Sequence, residues 1–343
     1  MPLVGLNIGR QSIRAVEIDK KRDKIILTNF GLIKNPKFSI DPKTKEDTKL
    51  ISSVLEGFFS DTEFTTSSVS LGINETNVFM RIISLPIMSD KELKSSIKYE
   101  AEQYIPLPLD QISLSYQKIE NDPDERGKMK VQIVAARKDV LKRYVEILRK
   151  SKLVAKAIEP ETIALGRVLG DTSIAPSGTM ILDMGYSGTL IIVCYGGYVR
   201  FTRAVSIGGN VITKTLQQEL NLDQQQAEEY KKVYGLDPFQ GDGKVADVIK
   251  PIVDNLILEV KRARVFFTNH NTNANIKRVV LSGGTALMPN LLSYIADKLD
   301  VEVILANPLN GIEVSPKLEK RKSVLIENAS AFSTAIGLAL RKI

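Results

Sequence analysis

Val4-Gly5-Leu6-Asn7-Ile8-Gly9-Arg10-Gln11-Ser12-Ile13-Arg14-Ala15-Val16-Glu17-Ile18 lies at the start of the chain, and its pattern recurs at Met180-Ile181-Leu182-Asp183-Met184-Gly185-Tyr186-Ser187-Gly188-Thr189-Leu190-Ile191-Ile192-Val193. In each stretch an apolar run ends in Asn7 or Asp183, with a glycine two residues on. Small or polar residues follow, and then a second apolar run. Two strands joined by a tight turn produce this pattern. Gly9 and Gly185 let the backbone approach a ligand, and the amides of such turns form an anion-binding concavity. A single copy is an ordinary hairpin. Two copies facing one another make a clamp for a polyphosphate, with Gly9, Arg10, Gln11 and Ser12 on one side and Asp183, Gly185, Ser187 and Thr189 on the other.

Such a duplication resembles the actin, sugar kinase and Hsp70 superfamily, and further motifs follow in the order that superfamily requires. Ile158-Glu159-Pro160-Glu161-Thr162-Ile163-Ala164-Leu165 is similar to the first connecting helix. Val279-Val280-Leu281-Ser282-Gly283-Gly284-Thr285 is similar to the adenosine loop, where a Gly-Gly turn lets a purine pack on backbone. Ala331 to Leu340 is similar to the second connecting helix, with Gly337 permitting close packing. Ala227-Glu228-Glu229-Tyr230-Lys231 matches a stretch whose polar residues reach adenosine. The resemblance implies an α/β chain with an actin-like ATPase fold, built from duplicated ribonuclease H-like halves. It also implies ATP and magnesium in the cleft between them, with Gly208, Gly209, Glu228, Lys231, Gly283, Gly284 and Thr285 on the nucleoside side.

A narrower resemblance rests on Leu85-Pro86-Ile87-Met88-Ser89-Asp90-Lys91-Glu92-Leu93 followed by Tyr99-Glu100-Ala101-Glu102-Gln103-Tyr104-Ile105-Pro106-Leu107-Pro108-Leu109. This is similar to the signature of the PilM family, actin-like proteins of type IV pilus assembly related to FtsA. Phe201-Thr202-Arg203, Ile207-Gly208-Gly209 and Leu258 to Ala263 also fit that family. In physical terms, Ser89 with Glu92 is a capping box, and Pro106 with Pro108 stops the helix near Tyr104. The family resemblance implies a partner: the short cytoplasmic N-terminal segment of a PilN-like inner-membrane protein. It would bind as an extended peptide in a groove beside the module that carries this helix. Tyr104 and Ile105 are the candidate anchors.

The nucleotide site departs from the superfamily at position 7. Relatives have Asp there, and that carboxylate helps hold hydrated magnesium. Asn7 keeps one oxygen and loses the charge, whereas magnesium prefers carboxylate and water oxygens. Asp183 keeps its charge, so Asn7 and Asp183 are the candidate metal residues, acting through water. Glu159 is either the carboxylate that orients a water on the γ-phosphate or a helix-start carboxylate in a favourable dipole position. Arg10 points either to a phosphate or to solvent. Slow or absent hydrolysis is the expectation.

Composition bounds the alternatives. The 343 residues can bury two cores. The one cysteine, Cys194, sits in an apolar strand pattern and reads as a buried hydrophobe. The one histidine, His270, lacks Cys or His partners for a zinc site. The net charge of +7 is spread along the chain, with clusters at Lys20-Lys21-Arg22 and Lys317 to Lys322. With 6% aromatics and no tryptophan, no basic stretch is interleaved with aromatics, which argues against nucleic-acid binding. No run reaches the length of a membrane span, and Met1-Pro2-Leu3 leads straight into a strand rather than a signal peptide.

The expected organisation is a first half-domain at 1–84 (strands 2–8, 12–18 and 24–33, a helix at 46–60, strands at 68–84) and an inserted subdomain of the FtsA and PilM type at 85–155. A connecting helix covers 156–177, the second half-domain 178–207 and 271–326, a helical subdomain 208–270, and the second connecting helix 327–343. Within the insertion, Val140, Leu141, Tyr144, Val145 and Leu148 define one apolar helix face, and Asn121 to Lys128 is a polar turn. Pro251 starts a second helix or kinks the first. The resemblance thus implies a cytoplasmic, nucleotide-regulated scaffold, brought to the inner face of the inner membrane only by its partner, and open to homo-oligomerisation. An actin-superfamily ATPase or small-molecule kinase, or an FtsA-like filament former, is the alternative.

Overall fold

The computed structural model describes residues 1–21, 24–36, 44–119, 127–170, 177–271 and 274–342. Arg22 and residues 121–126, the tips of two expected turns, lie outside the described residues. In the first half, strands β1 (Leu3–Ile8), β2 (Ser12–Lys21) and β3 (Lys24–Lys34) form an antiparallel meander. Helix α1 (Lys45–Thr62) follows, opened by a Thr44–Asp47 capping box. Strand β4 (Ser68–Ile73) runs parallel to β1.

Strand β5 (Val78–Pro86), helix α2 (Asp90–Glu102), strand β6 (Ile112–Ile119) and strand β7 (Lys128–Arg137) come next. Beyond them lie helix α3 (Lys138–Lys150), strand β8 (Val154–Pro160) and helix α4 (Glu161–Leu169). The second half repeats the meander as β9 (Ser177–Met184), β10 (Thr189–Tyr195) and β11 (Tyr198–Val205). Helices α5 (Gly209–Glu219), α6 (Gln224–Val233) and α7 (Lys244–His270) lead to β12 (Asn275–Ser282), α8 (Leu291–Leu299) and β13 (Glu302–Leu305). The chain closes with β14 (Glu313–Val314), α9 (Lys322–Glu327) and α10 (Ser333–Ala339).

Hydrogen bonding makes the duplication explicit. One sheet has the order β14-β3-β2-β1-β4-β8 and the other β11-β10-β9-β12-β13. Leaving out the two-residue edge strand β14, each is an antiparallel meander whose first strand is extended on its free side by two successive parallel strands, β4 then β8 in one sheet and β12 then β13 in the other. The two connecting helices lie between the sheets. Ile336 and Ala339 of α10 pack with Val16, Ile18 and Leu27, and Leu165 of α4 packs with Ile181, Ile192 and Val280. The helices meet at Gly337, where a Cβ would come within 2.1 Å of the Ala164 carbonyl oxygen. Gly5 likewise faces the Ala335 carbonyl oxygen at 1.9 Å from an added Cβ. Any side chain at either position would push the layers apart.

The inserted module differs from its expected bounds. Strand β5 belongs to a separate three-stranded sheet, β5-β7-β6, whereas β8 joins the first-half sheet beside β4. Helix α3 buries Val140, Tyr144, Ile147 and Leu148 in the first-half core with Ile51 and Leu55 of α1, and Val145 is exposed. By pairing and packing the module therefore spans residues 78–137. Its own core is formed by Leu93, Ile97 and Ala101 of α2 against Ile83, Val131 and Ile133 of the sheet. The helical segment after Gly208 comprises three helices, and Pro251 sits inside α7 without splitting it. Cys194 is buried, as the strand pattern predicts.

Candidate functional site

The two turns close in the same way. The Gly9 N–H donates to the Ser12 carbonyl at 3.0 Å, and the Gly185 N–H donates to the Gly188 carbonyl at 2.9 Å. Both turns line one cleft of about 1370 Å³ between the halves. The cleft brings together Asn7, Gly9, Arg10, Gln11 and Ser12 with Asp183, Gly185, Ser187, Thr189, Gly209, Glu228, Lys231, Gly283, Gly284 and Thr285. Gly208 lies just behind this wall, where a Cβ would meet the Gly188 amide at 2.4 Å.

The end of the cleft beside Gly283 and Gly284 is built from interlocked backbone and side chains. The Thr285 hydroxyl donates to the Gly185 carbonyl at 3.1 Å, tying the Gly-Gly turn to the turn at Gly185. Gly283 holds φ at +87°, and a Cβ there would overlap the Met184 backbone, so only glycine fits. Gly284 is open, its added Cβ meeting only Arg14 Nη2 at 3.7 Å. The Lys231 ammonium donates to Glu228 at 2.6 Å and to the Thr213 hydroxyl at 2.9 Å. Burial pulls the Lys231 ammonium down from its ordinary range, and the Glu228 bond opposes that.

Glu159 is not part of this cleft. It is 3% exposed, and Arg167 holds it by two bonds of 2.7 and 2.8 Å. Arg341 pairs with it as well. The expectation that Glu159 faces the γ-phosphate is therefore corrected: both its oxygens are committed to guanidinium groups. The carboxylate that does face the cleft is Glu161, two residues on at the start of α4. Asn7 Nδ2 donates to its Oε1 at 2.6 Å, and Asn74 Nδ2 approaches Oε2 at 3.4 Å. Burial pushes the Glu161 carboxyl up to about 7; Asp183 adds to that rise, and the Asn7 hydrogen bond opposes it. Burial also raises the Asp183 carboxyl, against a hydrogen bond from Ser282 and the charge of Arg14.

Arg14, absent from the sequence-derived set, stands opposite Asn7 on β2 and lines the cleft. Desolvation lowers its pKa, and the nearby Asp183 and Glu161 charges oppose that. Its Nε and the Ser187 hydroxyl are buried without a hydrogen-bond partner. Two orphaned donors lining the cleft, one from each half, fit an anionic ligand. The sequence signal for Arg14 is its place between Ile13 and Ala15 in an apolar run of β2.

Tyr104 and Ile105 lie away from the cleft. Ile105 is buried in the module core, and the Tyr104 ring carries the Arg81 guanidinium 4.8 Å from its centroid. Ile105 as a docking anchor is thereby corrected, because its side chain is spent on the module's own packing. Among the described residues, the module's exposed large apolar side chains are Ile87, Tyr99 and Leu107.

The family model for "Type IV pilus assembly protein PilM" matches residues 5–343. The chain belongs to the PilM family of type IV pilus assembly proteins. Among solved structures, the "PilM-PilN type IV pilus biogenesis complex" is similar at a TM-score of 0.83 and 24% identity, over 99% of this chain and 98% of that one. The ethanolamine utilization protein EutJ from Carboxydothermus hydrogenoformans is similar at a TM-score of 0.58 and 15% identity, over 99% of this chain and 89% of that one. These likenesses agree with the actin-like fold read from the sheets. The cell division protein FtsA of Neisseria meningitidis serogroup B is 23% identical over 232 residues, 61% of this chain and 53% of that protein. The chain thus spans about half the length of that relative. Among the described residues, no helix is long and apolar enough to cross a membrane.

Proposed function

We propose that this chain is a nucleotide-binding scaffold of type IV pilus assembly. ATP lies across the cleft, its phosphates between the turns at Gly9 and Gly185 and its purine against Gly283 and Gly284. The carrying observation is the matched closure of those turns around a cleft with two orphaned buried donors, Arg14 Nε from the first half and Ser187 Oγ from the second. Oxygen donors on the same wall fit hydrated magnesium, which supplies charge neutralisation to the phosphates; Asp183 would hold it through water. With Asn7 uncharged and Glu159 engaged by two arginines, hydrolysis is slow or absent.

Nucleotide sets the angle between the halves, and the module carries that angle to a partner. Two contacts support this coupling. The Gln132 amide of β7 donates to the Val199 carbonyl of β11 at 2.8 Å. Glu75, between β4 and β5, accepts from Thr162 of α4 at 2.9 Å and from Thr202 of β11 at 2.7 Å. The likeness to the PilM-PilN complex supports the partner: the N-terminal cytoplasmic peptide of a PilN-like inner-membrane protein. That partner brings the chain to the inner face of the inner membrane. The test is titration calorimetry with ATP in the presence and absence of magnesium, together with capture of a PilN-type peptide. No heat of binding from the folded chain would refute the nucleotide reading.

A further inference from the structure

Asn35, the residue after β3, is fully buried, and donors from both its side chain and its backbone go to the turn at Gly9. Its side-chain amide donates to the Gly9 carbonyl at 2.8 Å, and its backbone N–H donates to the Gln11 carbonyl at 2.9 Å. The sequence prepares this. Lys34 pairs with Ser12 in the β2–β3 ladder, so Asn35 falls beside the turn. Pro36 follows, and a residue before proline is kept in the extended region. The turn at Gly185 is held at similar places by other means. The Gly209 N–H donates to the Gly185 carbonyl at 3.0 Å, and the Asn210 N–H donates to the Tyr186 carbonyl at 2.8 Å, both from the start of α5. Gly9 and Gly185 occupy the same place in the two repeats. One asparagine thus does for the first turn what two helix amides do for the second.

We infer that Asn35 is the positioning residue of the first turn: by holding the Gly9 and Gln11 carbonyls it turns the N–H groups of Arg10 and Ser12 into the cleft, where they meet the phosphates. This rests on the nucleotide reading above. A peptide unit is planar and trans, so its N–H points opposite to its carbonyl. A Gly9 carbonyl drawn toward Asn35 sends the Arg10 N–H the other way. A Gln11 carbonyl drawn to the same residue does this for the Ser12 N–H. Both residues line the cleft. Successive amides held in this way make an anion-binding concavity. They are fixed before any ligand arrives, which removes the cost of ordering the turn on binding. Position 35 asks for a short side chain that donates, and Asn carries two N–H groups. An aspartate there would set a carboxylate against the Gly9 carbonyl. An apolar residue would leave that carbonyl without its partner.

The test uses the full chain, titrated calorimetrically with ADP and with adenosine, each variant being checked for folding by thermal melting. The ratio of the two affinities isolates what the phosphates add. Asn35→Leu keeps the branched shape and the backbone bond to Gln11 and removes the side-chain donor. It should lower that ratio about tenfold, through ADP, with adenosine within about twofold of native. A loss shared equally by ADP and adenosine would show a structural role alone and overturn the inference, as would a folded Asn35→Leu chain with the native ratio. If Asn35→Leu does not fold, the same ratio read on Asn35→Ala decides. Amide NMR gives a second readout that needs no variant. ADP should shift the Arg10 and Ser12 amide resonances of the native chain downfield, and adenosine should not. Amides unmoved by bound ADP overturn the inference while leaving nucleotide binding standing. A native chain that binds no ADP overturns both.

Discussion

Arg167 holds both oxygens of Glu159 in a fork, with its Nη1 and Nη2 at 2.7 and 2.8 Å, and its Nη1 also donates to the Gly337 carbonyl at 2.7 Å. One guanidinium thus joins the end of β8, the first connecting helix and the second. The pair stabilises the crossing of the two halves rather than touching the cleft. Glu159→Ala leaves Arg167 and Arg341 facing an emptied site. It should cost about 3 kcal/mol, the low end for a broken buried pair because both arginines keep some solvent. A lowered urea midpoint with ADP affinity within about threefold of native is expected. Unchanged stability with altered nucleotide handling would return Glu159 to the chemistry.

Gly283 and Gly284 should separate by mechanism. Gly283→Ala meets the Met184 backbone at 2.5 Å with φ at +87°, so the loop must shift and the fold should lose about 2 kcal/mol or more. Gly284→Ala meets nothing closer than 3.7 Å and should be near neutral for stability. Gly284→Phe places a ring where the proposed nucleotide's purine would pack, and should weaken ATP by at least about tenfold with the melting temperature little changed. Calorimetry and thermal melting on the three chains give the comparison.

Glu75 gives a pH signature. Burial raises its carboxyl above the ordinary range, against hydrogen bonds from Thr202 and Thr162. A carboxyl whose folded pKa lies above its unfolded one binds more protons in the folded state. Stability therefore falls as pH rises from the unfolded value through the folded one. Glu75→Gln keeps an acceptor for the threonines and removes that loss. Its stability relative to the native chain should improve steadily from pH 4.5 upward, as read from urea midpoints across the range. A pH-independent difference would show that Glu75 is not titrating in that window.

The paired turns, the caps and the order of motifs were legible because each is a local pattern: Gly9 and Gly185 after an apolar run, Ser89 with Glu92, Gly283 with Gly284. What failed was non-local. Strand β5 has the same alternation whichever sheet it joins, and its register with β7 is set by pairing some 50 residues away. The apolar face of α3 is equally plain in sequence, but nothing in it says whether α1 or the module sheet covers it. Glu159 and Glu161 flank Pro160 with equal claims. The strand ends at Pro160 and a helix begins, so the two side chains leave in different directions, one to Arg167 and the other to Asn7. Arg14 is marked by its apolar neighbours, but the cleft it faces is supplied by its partner strand and the opposite half, so its target is not local.

The module can be tested as a docking element, because its boundaries are adjacent in space. Val78 pairs directly with Ala136 across β5 and β7, so the two points of excision stand about 5 Å apart. A short glycine linker should close the gap. Helix α3 and strand β8 stay behind, as they must, since Tyr144 and Ile147 fill the first-half core and β8 pairs with β4. Removing residues 79–135 should leave a folded chain that binds ATP but no longer captures a PilN-type peptide. Two point variants sharpen the result. Ile105→Asp buries a charge in the module core and should cost about 4 kcal/mol or more, losing capture through local unfolding. Tyr99→Asp, on the exposed side of α2 at 74% exposure, should leave the melting temperature unchanged and report on docking alone. If the excised chain is folded and still captures the peptide with native affinity, the peptide binds elsewhere and the module has another task.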